Sequence, residues 1–511
     1  MAELELAPVV ILGIDLGTTF SVAATMGEHG RPTVLPNQLG DATTPSEVYF
    51  RSASSVLVGR AARAAAATDP DNAVALIKRR MGTECELRFH GVAHTPESVS
   101  ALILRALVAG ATTPVRAVIT VPAYFGIRER EATFQAARLA GIDVLELLAE
   151  PVAAALHYGT AVAESDGAVL VYDLGGGTFD TTVLRVTGAG VTVVATDGDS
   201  ELGGADWDER VVDHLAEHWP DDDDESFIRQ LRVEAEVAKL ALSVATECDV
   251  RLGAVTVRLD RDTFEQMTAD LVDRTMTIVA RTLAAAAAKG VRRIDDVVLV
   301  GGSSRMPRIA AAVAEQLGIR PRLVEPDFAA ALGAAVRAHQ LADDRTREGL
   351  RAAGGALARI ADAPTASVVS RSFGILLDDS YDPNAERRFV RHIVHRNDPL
   401  PTSGSAEFAT VMPGQYRIRV QVFEQAGDVE SAEMADNRRV LDGELRLPAG
   451  LPAGSPVTIT LRVSADGLLG VTARERTGGG RLELEAYVEG VVDEQRTRRL
   501  AHFLTGLTVG Q

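Results

Sequence analysis

Two short glycine-rich turns constrain this chain more than any other feature of its 511 residues. The segments "ILGIDLGTTFSVAA" at 11–24 and "VYDLGGGTFDTTVL" at 171–184 each run from an apolar stretch through Asp, Leu and Gly into a second apolar stretch. Each pattern predicts a β-hairpin whose turn begins at Asp15 or at Asp173. Glycine leaves space beside the backbone, so the sequence predicts two matched turns that hold another group close to the main chain.

The chemistry of such turns favours phosphate. Backbone N–H groups of a glycine turn can donate to phosphate oxygens, and threonine hydroxyls add donors. Two hairpins that face each other would hold a polyphosphate from both sides, and the leading aspartates would bind Mg²⁺, usually through water. The alternative, that the glycines only make tight turns, is weaker for two matched copies than for one.

Charge and cysteine content exclude several other classes of protein. The net charge is −19 and no basic cluster is present, which argues against nucleic-acid binding. Cys85 and Cys248 match no metal or redox spacing and are expected to be small buried residues in a reducing cytoplasm. The segment "MAELELAPVV" has no positively charged start of the kind found in signal peptides, and no uncharged apolar stretch has membrane-spanning length. We therefore expect a cytoplasmic protein without a membrane partner.

The periodicity of apolar residues changes along the chain. Residues 1–341 alternate strand-like and helix-like segments, which predicts an α/β domain. Residues 342–366 are charged and rich in Ala and Gly, and are predicted to be an atypical linker. Residues 367–490 alternate with a period of two, as in "QYRIRVQV", which predicts an all-β domain. Residues 491–511 are expected to be a short helical tail.

Several longer motifs occur in one order along the chain and identify a family. These are "AVITVPAYF", "AEPVAAALHYG", "LGGADWDERV", "VLVGGSSRMP" and "PDFAAALGAAV". Together with the two turns they resemble the actin-like ATPase fold, and specifically the heat-shock-protein-70 (DnaK-type) chaperone family. The resemblance is strong over residues 8–340 and looser over about 368–490. It implies an α/β actin-like ATPase domain of two lobes and four subdomains, followed by an all-β sandwich similar to a peptide-binding domain.

The resemblance also implies residue roles around ATP or ADP and Mg²⁺. The phosphate loops are matched by Gly17, Thr18, Thr19, Gly175, Gly176 and Gly177, with Gly203 and Gly204 in a further turn. Asp15 and Asp173 resemble the residues that hold Mg²⁺. The catalytic positions are matched by Lys78, Glu150, Thr178 and Asp180. A lysine at this place offsets charge on the transferred phosphoryl group, and carboxylates position metal and water.

The adenosine side of the site is matched by a helix and a second glycine turn. Glu236, Lys239 and Ser243 share one helical face, which by itself also fits an ordinary amphipathic helix with an exposed ion pair. The turn that closes over the base in the family corresponds to Gly301, Gly302, Ser303 and Arg305, and Asp327 matches another residue near the nucleotide. The planar guanidinium of Arg305 can stack on a purine. Pro122 and Arg130 match a pair that relays nucleotide state between domains in the family.

Three regions depart from the family pattern. The short apolar linker is missing, so we expect weaker coupling between the domains. The groove segment carries Asp378, Asp379, Tyr381 and Pro383, where the family has small apolar residues, with Asp382 among them. After Gly490 only "VVDEQRTRRLAHFLTGLTVGQ" follows in this sequence, so the helical lid is nearly absent.

The sequence therefore predicts a slow ATPase that acts as a lidless heat-shock-70-like chaperone. Its expected partners are unfolded or extended polypeptides, and the resemblance also implies J-domain and nucleotide-exchange cochaperones. The alternative is a regulatory or scaffold protein whose nucleotide state controls one dedicated partner. A small-molecule kinase of the same fold is disfavoured because no sugar-binding segment is apparent and the β domain would have no role.

Overall fold

The computed structural model describes residues 9–27, 31–162, 167–187, 190–218, 225–252, 255–342, 365–378, 387–427, 429–464, 467, 469–475, 481–485, 500, 504 and 506–510. The α-helices in these ranges are α1 Arg60–Ala66, α2 Pro96–Leu107, α3 Ile127–Leu139, α4 Glu150–Val162, α5 Gly204–Ala216, α6 Glu225–Val244, α7 Arg261–Met267, α8 Ala269–Ala288, α9 Pro307–Leu317 and α10 Ala329–Ala342. Short 3₁₀ helices span Pro70–Asn72, Ile77–Arg80, Gly302–Arg305 and Met434–Asp436.

The strands fall into two groups along the chain. Those before residue 343 are β1 Val10–Asp15, β2 Phe20–Met26, β3 Pro32–Leu35, β4 Thr44–Pro45, β5 Val48–Ser52, β6 Ser55–Val58, β7 Ala73–Val74, β8 Leu87–Phe89, β9 Val92–His94, β10 Val115–Val121, β11 Ile142–Ala149, β12 Gly167–Leu174, β13 Phe179–Thr187, β14 Gly190–Asp199, β15 Glu247–Leu252, β16 Val255–Asp260, β17 Asp296–Val300 and β18 Arg322–Leu323. The later strands are β19 Thr365–Ala366, β20 Phe373–Asp378, β21 Arg388–Val394, β22 Thr402–Ala409, β23 Arg417–Gln425, β24 Asn437–Arg446, β25 Pro456–Val463, β26 Leu469–Glu475, β27 Arg481–Glu485 and β28 Thr508–Gly510.

The α/β part contains two six-stranded sheets. The first sheet has the order β11-β10-β1-β2-β3, with β4 also paired to β2, and the second has the order β18-β17-β12-β13-β14-β19. In the first sheet β1 is parallel to β10 and antiparallel to β2, and in the second β12 is parallel to β17 and antiparallel to β13. Both predicted glycine hairpins are therefore confirmed, and each occupies the same position in its own sheet.

The central strands are apolar because both of their faces are covered. In β10, Ala117 and Ile119 belong to a core that also contains residues of α2, α3 and the small sheet β28-β6-β5-β7, which we call the first core. Val118, on the opposite face of β10, belongs to a core shared with the second sheet. The start of α2 is set by a capping box in which Thr95 and Ser98 bond each other's backbone N–H.

Two helices join the sheets. Helix α10 packs on β1 of the first sheet and against α4, whose alanines lie in the shared core with Val171 and Val298 of the second sheet. The crossing of α10 and α4 depends on Gly333, where a Cβ atom would lie 1.7 Å from the carbonyl oxygen of Ala153. This close crossing fixes how the turn after β1 and the turn after β12 are placed.

The β part consists of two four-stranded sheets around one core. The sheets have the orders β21-β20-β23-β24 and β22-β25-β26-β27. The period-two prediction for "QYRIRVQV" is confirmed in β23, where Val420 and Val422 are buried and Arg417 and Arg419 are exposed. Apolar residues of both sheets, among them Val422 and Ile459, form a single core. We call this part the β-sandwich.

The β-sandwich lies directly against the α/β part. Ile127, the first residue of α3, is buried within the β-sandwich core. Its backbone N–H donates to the fully buried carboxylate of Glu424 at 3.0 Å. On the second-sheet side, the backbone N–H of Thr196 donates to Asn397 at 2.9 Å, and Arg396 forms an ion pair with Asp197 at 2.6 Å. The β-sandwich therefore contacts helix α3, which packs on β11 of the first six-stranded sheet, and strand β14 of the second.

The predicted linker and tail are described only in part. Residues 342–366 were predicted to be a linker, and 343–364 lie outside the described residues; Ala342 ends α10, and Thr365–Ala366 forms β19, which pairs in parallel with Val191–Thr192 of β14. The tail was expected to be helical; Leu500 and Leu504 are helical, whereas Thr508–Gly510 forms β28, which pairs with β6. No helix of the described residues has the length and apolarity needed to cross a membrane.

Candidate functional site in the cleft between the glycine turns

The two glycine turns face each other across a cleft with a volume of about 660 Å³. Most of the predicted site residues line this cleft: Asp15, Gly17, Thr18, Thr19, Lys78, Glu150, Asp173, Gly175, Gly176, Thr178, Glu236, Lys239, Ser243, Gly301, Gly302, Ser303, Arg305 and Asp327. The remaining four, Gly177, Asp180, Gly203 and Gly204, are not among the lining residues. Asp15 and Asp327 thus border one cavity, although they are 312 positions apart in the sequence.

The approach of the two turns leaves no room for side chains. A Cβ atom on Gly176 would lie 2.3 Å from the hydroxyl oxygen of Thr19, and one on Gly177 would lie 2.3 Å from the methyl group of Thr18. Gly176 and Gly177 are therefore required by the close approach of the first turn.

A third turn supports the second from behind. The backbone N–H of Gly204 donates to the carbonyl oxygen of Gly175 at 2.9 Å, and that of Ala205 donates to Gly176 at 2.8 Å. A Cβ atom on Gly203 would lie 2.5 Å from the backbone nitrogen of Gly177. The first N–H groups of α5 are thus used to hold the second turn in place.

Lys78 and Glu150 form a buried ion pair at the base of the cleft. Lys78 lies on the 3₁₀ helix Ile77–Arg80, Glu150 begins α4, and Nζ is 2.6 Å from Oε1. Burial opposes the lysine charge, but the carboxylates of Glu150, Asp15 and Asp180 outweigh it and raise the pKa of Lys78. The lysine therefore stays protonated.

Four carboxylates surround this one ammonium group; Glu150, Asp173 and Asp180 are buried and Asp15 is half-buried. Burial raises the pKa values of Asp15, Glu150, Asp173 and Asp180, and neighbouring carboxylates add to the increase for Glu150, Asp173 and Asp180. Lys78 opposes the shift at all four. The excess of negative charge fits a site completed by a cation, and carboxylate oxygen is a ligand type that Mg²⁺ accepts.

The donor set fits a magnesium ion that keeps most of its water. Among the described residues, no group of three His, Cys, Asp or Glu side chains is arranged to enclose a metal. Mg²⁺ is commonly held by one or two carboxylates together with water and substrate phosphates. Asp15 and Asp173, which border the cleft next to the two turns, fit that mode.

The helical face of Glu236, Lys239 and Ser243 lines the cleft, but some of its polar atoms already have protein partners. The ammonium group of Lys239 is 2.7 Å from Asp208 and donates to the carbonyl oxygen of Gly204 at 3.0 Å. The hydroxyl of Ser243 donates to the carbonyl oxygen of Lys239 at 3.0 Å. Burial raises the pKa of Asp208 to about 6, although Lys239 opposes that shift. Arg305 pairs with Asp327 across the mouth of the cleft.

The sequence analysis missed Arg79, which lies next to the site, and several residues that line the cleft, Leu240 and Val244 among them. Arg79 donates to the carbonyl oxygen of Gly177 at 2.8 Å and to Asp206 at 2.6 Å, so it links the 3₁₀ helix of Lys78 to the second and third turns. Leu240 and Val244 are largely exposed and form an apolar wall of the cleft. No sequence pattern distinguishes Arg79 from Arg80. The apolar residues at exposed positions of α6, in contrast, could have indicated the apolar wall.

The loop after β10 connects the cleft to the β-sandwich. The backbone N–H of Ala123 donates to Asp180 at 3.0 Å. Two residues further on, the carbonyl oxygen of Phe125 accepts hydrogen bonds from Arg130 at 3.2 Å and from Ser370 of the β-sandwich at 3.0 Å. The segment that starts at Pro122 therefore touches a cleft carboxylate on one side and the other domain on its far side.

Two matched hairpin turns around a buried lysine and four carboxylates define a protein that binds a phosphorylated ligand and can act on it. Comparison with known proteins gives the family: the family model described as Hsp70 protein matches residues 11–502. The chain is 35% identical to the chaperone protein DnaK of Halobacterium salinarum, covering 96% of this chain and 80% of the relative. It is also 35% identical to the chaperone protein DnaK of Thermosipho melanesiensis, covering 91% and 78%.

The chain belongs to the Hsp70 family. It is an ATP-dependent Hsp70-like chaperone and an ATPase, as the sequence predicted. Members of this family bind ATP and ADP, generally with Mg²⁺. The alternative of a regulatory or scaffold protein is not favoured by these relatives.

Proposed function

We propose that the cleft binds ATP with Mg²⁺ and hydrolyses it slowly, and that the β-sandwich binds extended polypeptide. The observation that carries this proposal is the buried pair of Lys78 and Glu150, placed between the two glycine turns. The turns at Gly17–Thr19 and Gly175–Gly177 hold the phosphates. Glu236, Lys239, Ser243, Gly301, Gly302, Ser303, Arg305 and Asp327 border the adenosine.

The chemistry assigned to the cleft follows from its charges. Lys78, held by Glu150, offsets negative charge that develops on the transferred phosphoryl group. Mg²⁺, held by Asp15 and Asp173 through water, would supply further charge neutralisation. Asp180, whose pKa is raised well above its usual range by burial and by Glu150 and Asp173, accepts the proton of the attacking water. The hydroxyl of Thr178 donates to the phosphate oxygens next to Asp180.

We also propose the finer domain architecture. Each six-stranded sheet forms the base of one lobe of an actin-like ATPase domain, and the smaller sheets β28-β6-β5-β7 and β15-β16 form parts of the outer subdomains. The domain boundaries are residues 1–341 for the ATPase domain, 342–366 for the linker, 367–490 for the β-sandwich and 491–511 for the tail. The pairing of β28 with β6 supports a change to this scheme, in which the end of the tail belongs to the ATPase domain.

The β-sandwich offers an apolar surface for clients. Val411, Met412 and Tyr416 lie between β22 and β23 and are largely exposed. Asp378, at the end of β20, pairs with Arg388 at 3.1 Å, which reduces its effect on an acidic client. The other groove residues named from the sequence, Asp379, Tyr381, Asp382 and Pro383, lie outside the described residues. We propose unfolded or extended polypeptides as clients.

Partners and compartment follow from the family relationship. J-domain and nucleotide-exchange cochaperones are the proposed protein partners, and neither nucleic acid nor membrane is among them. Cys85 and Cys248 are free thiols, which supports a reducing compartment such as the cytoplasm.

Peptide binding can be tested on the full chain. A panel of unrelated labelled peptides, each measured with ADP and with ATP, should show micromolar binding of many extended apolar sequences. The paired change Val411→Ser and Met412→Ser should weaken this binding at least fivefold. Val429→Ser changes an equally exposed apolar residue away from this loop and is the control. Binding of a single dedicated partner, with no peptide of the panel bound, would favour the scaffold function instead.

A further inference from the structure

The last described residues of the chain return to the α/β part and complete one of its sheets. Thr508, Val509 and Gly510 pair in parallel with Ser55, Val56 and Leu57 of β6, respectively. The backbone N–H of Thr508 donates to the carbonyl oxygen of Ser54 at 3.1 Å. Without β28, β6 would be an edge strand with unpaired backbone groups.

The residues before β28 are part of the first core. Leu504 is 0% exposed and Leu507 is 6% exposed, and both belong to the same core as Val56 and Leu102. The carbonyl oxygen of Leu504 accepts a hydrogen bond from Arg105 of α2. Two buried leucines and a paired strand are the features of an integral element, since a loosely attached end would leave these groups exposed.

This segment follows the β-sandwich in the chain. The β-sandwich begins after β19, which pairs with β14 of the second sheet, and its strand β27 ends at Glu485. Residues 486–499 then lead to Leu500, which packs against the first core. Along the chain, the β-sandwich is thus preceded by a strand of the second sheet, β19. It is followed by a strand attached to the first core, β28.

We propose that Leu504, Leu507 and β28 form a strap that keeps the β-sandwich docked on the ATPase domain in every nucleotide state. The direct contacts, such as the 2.7 Å ion pair of Arg438 and Glu129, form one attachment. A second attachment through a short connection keeps the separated surfaces at high effective concentration, so they rebind rapidly. With the strap attached, the two domains therefore make only small movements relative to each other and do not separate widely.

Cysteine cross-linking tests the strap without weakening it. Ser55 and Thr508 are register partners, and Cys85→Ser and Cys248→Ser provide a background without other thiols. We expect Ser55→Cys with Thr508→Cys to form a disulfide under mild oxidation to the same extent, within twofold, without nucleotide, with ADP and with ATP. Ser52→Cys with Thr508→Cys is the control, because Ser52 lies on β5, one strand further away. Absence of the disulfide, or its formation in only one nucleotide state, would overturn the proposal.

Release of the strap tests its consequence for the domains. Leu504→Asp places a charge in the first core, and Val509→Pro is a milder change that only disturbs strand pairing. For the unchanged chain, small-angle scattering should give the same radius of gyration with ADP and with ATP. In the released variants the radius should differ between the two nucleotides, and amide exchange in Ser55–Val58 should become at least tenfold faster. If a released variant shows the faster exchange and yet has the same radius in both states, the strap does not hold the domains together and the proposal fails.

Discussion

Lys78 and Glu150 are 2.6 Å apart and almost fully buried, although 71 residues separate them in the chain. The pair lies between two glycine turns and is surrounded by further carboxylates. A buried lysine is costly unless its charge is matched, and here more negative charge surrounds the lysine than it can neutralise. The arrangement is suited to a ligand that brings both phosphates and a cation.

Removal of the lysine should affect the chemical step more than binding. Lys78→Ala should lower single-turnover ATP hydrolysis about a hundredfold or more, because the charge on the transferred phosphoryl group loses its counterion. ATP should still bind, since the glycine turns remain. Arg80→Ala changes the exposed last residue of the same 3₁₀ helix and is the control. A Lys78→Ala rate equal to that of the unchanged protein would show that the lysine has no catalytic role.

Nucleotide binding should depend on the cation and on the base. We expect isothermal titration to show tight binding of ATP and ADP that weakens when Mg²⁺ is chelated, because the carboxylates of the cleft then repel the phosphates. GTP should bind more weakly than ATP, since Glu236, Ser243 and Arg305 border the proposed base site. Equal or tighter binding of GTP would contradict the adenosine assignment.

Arg79 should control how firmly the cleft holds its ligand. Its guanidinium joins Gly177 and Asp206 to the helix of Lys78. Arg79→Ala should raise the dissociation constant of ATP about tenfold, which corresponds to about 1.4 kcal/mol. Asp206→Ala should have a similar effect, and the double variant should be little worse than either single one if the two side chains act together. Full additivity of the two losses would mean that they act independently.

The ion pairs of Arg438, one to Glu129 of α3 and one to Glu424 within the β-sandwich, should contribute to stability as a unit. Arg438 bonds both Glu129 and the fully buried Glu424. Arg438→Met leaves these carboxylates without their partner, so we expect a loss of about 3 kcal/mol in the free energy of unfolding. Arg417→Met breaks the exposed pair with Glu444 and should cost less than about 1 kcal/mol. Denaturant titration of the full chain gives both values, and equal losses would contradict the buried network.

Acid sensitivity should arise in part from His94. This side chain is 2% exposed beside Phe50, and burial lowers its pKa from 6.5 to about 4. The unfolded chain therefore binds a proton more readily than the folded one, so stability falls as the pH drops from about 6.5 towards 4. Between pH 7.5 and 5 this should amount to about 2 kcal/mol.

The His94 contribution can be isolated by substitution. His94→Leu should reduce the loss of unfolding free energy between pH 7.5 and 5, measured by urea titration at both pH values. His218→Leu, which changes an exposed histidine, should leave that loss unchanged. The same pH dependence in His94→Leu and in the unchanged protein would contradict a neutral buried histidine.

The local pattern of the sequence determined the two hairpins, the α/β and all-β division and the helical face of α6. These features depend on neighbours in the chain: an apolar strand, a turn that needs glycine, or a repeat of two or four residues. The family motifs then predicted that Lys78 and Glu150 are catalytic residues. No local pattern distinguishes that lysine from the arginines beside it.

Only the tertiary structure decided which distant groups meet. The 2.6 Å contact of Lys78 with Glu150, the bridge made by Arg79 and the insertion of Ile127 into the β-sandwich core all join separate segments. The end of the chain is the clearest case: its sequence predicted only helical character, which Leu500 and Leu504 have, and did not predict the strand Thr508–Gly510. A short segment has little intrinsic preference, and the open edge of β6 supplied the hydrogen-bond partners that selected the strand.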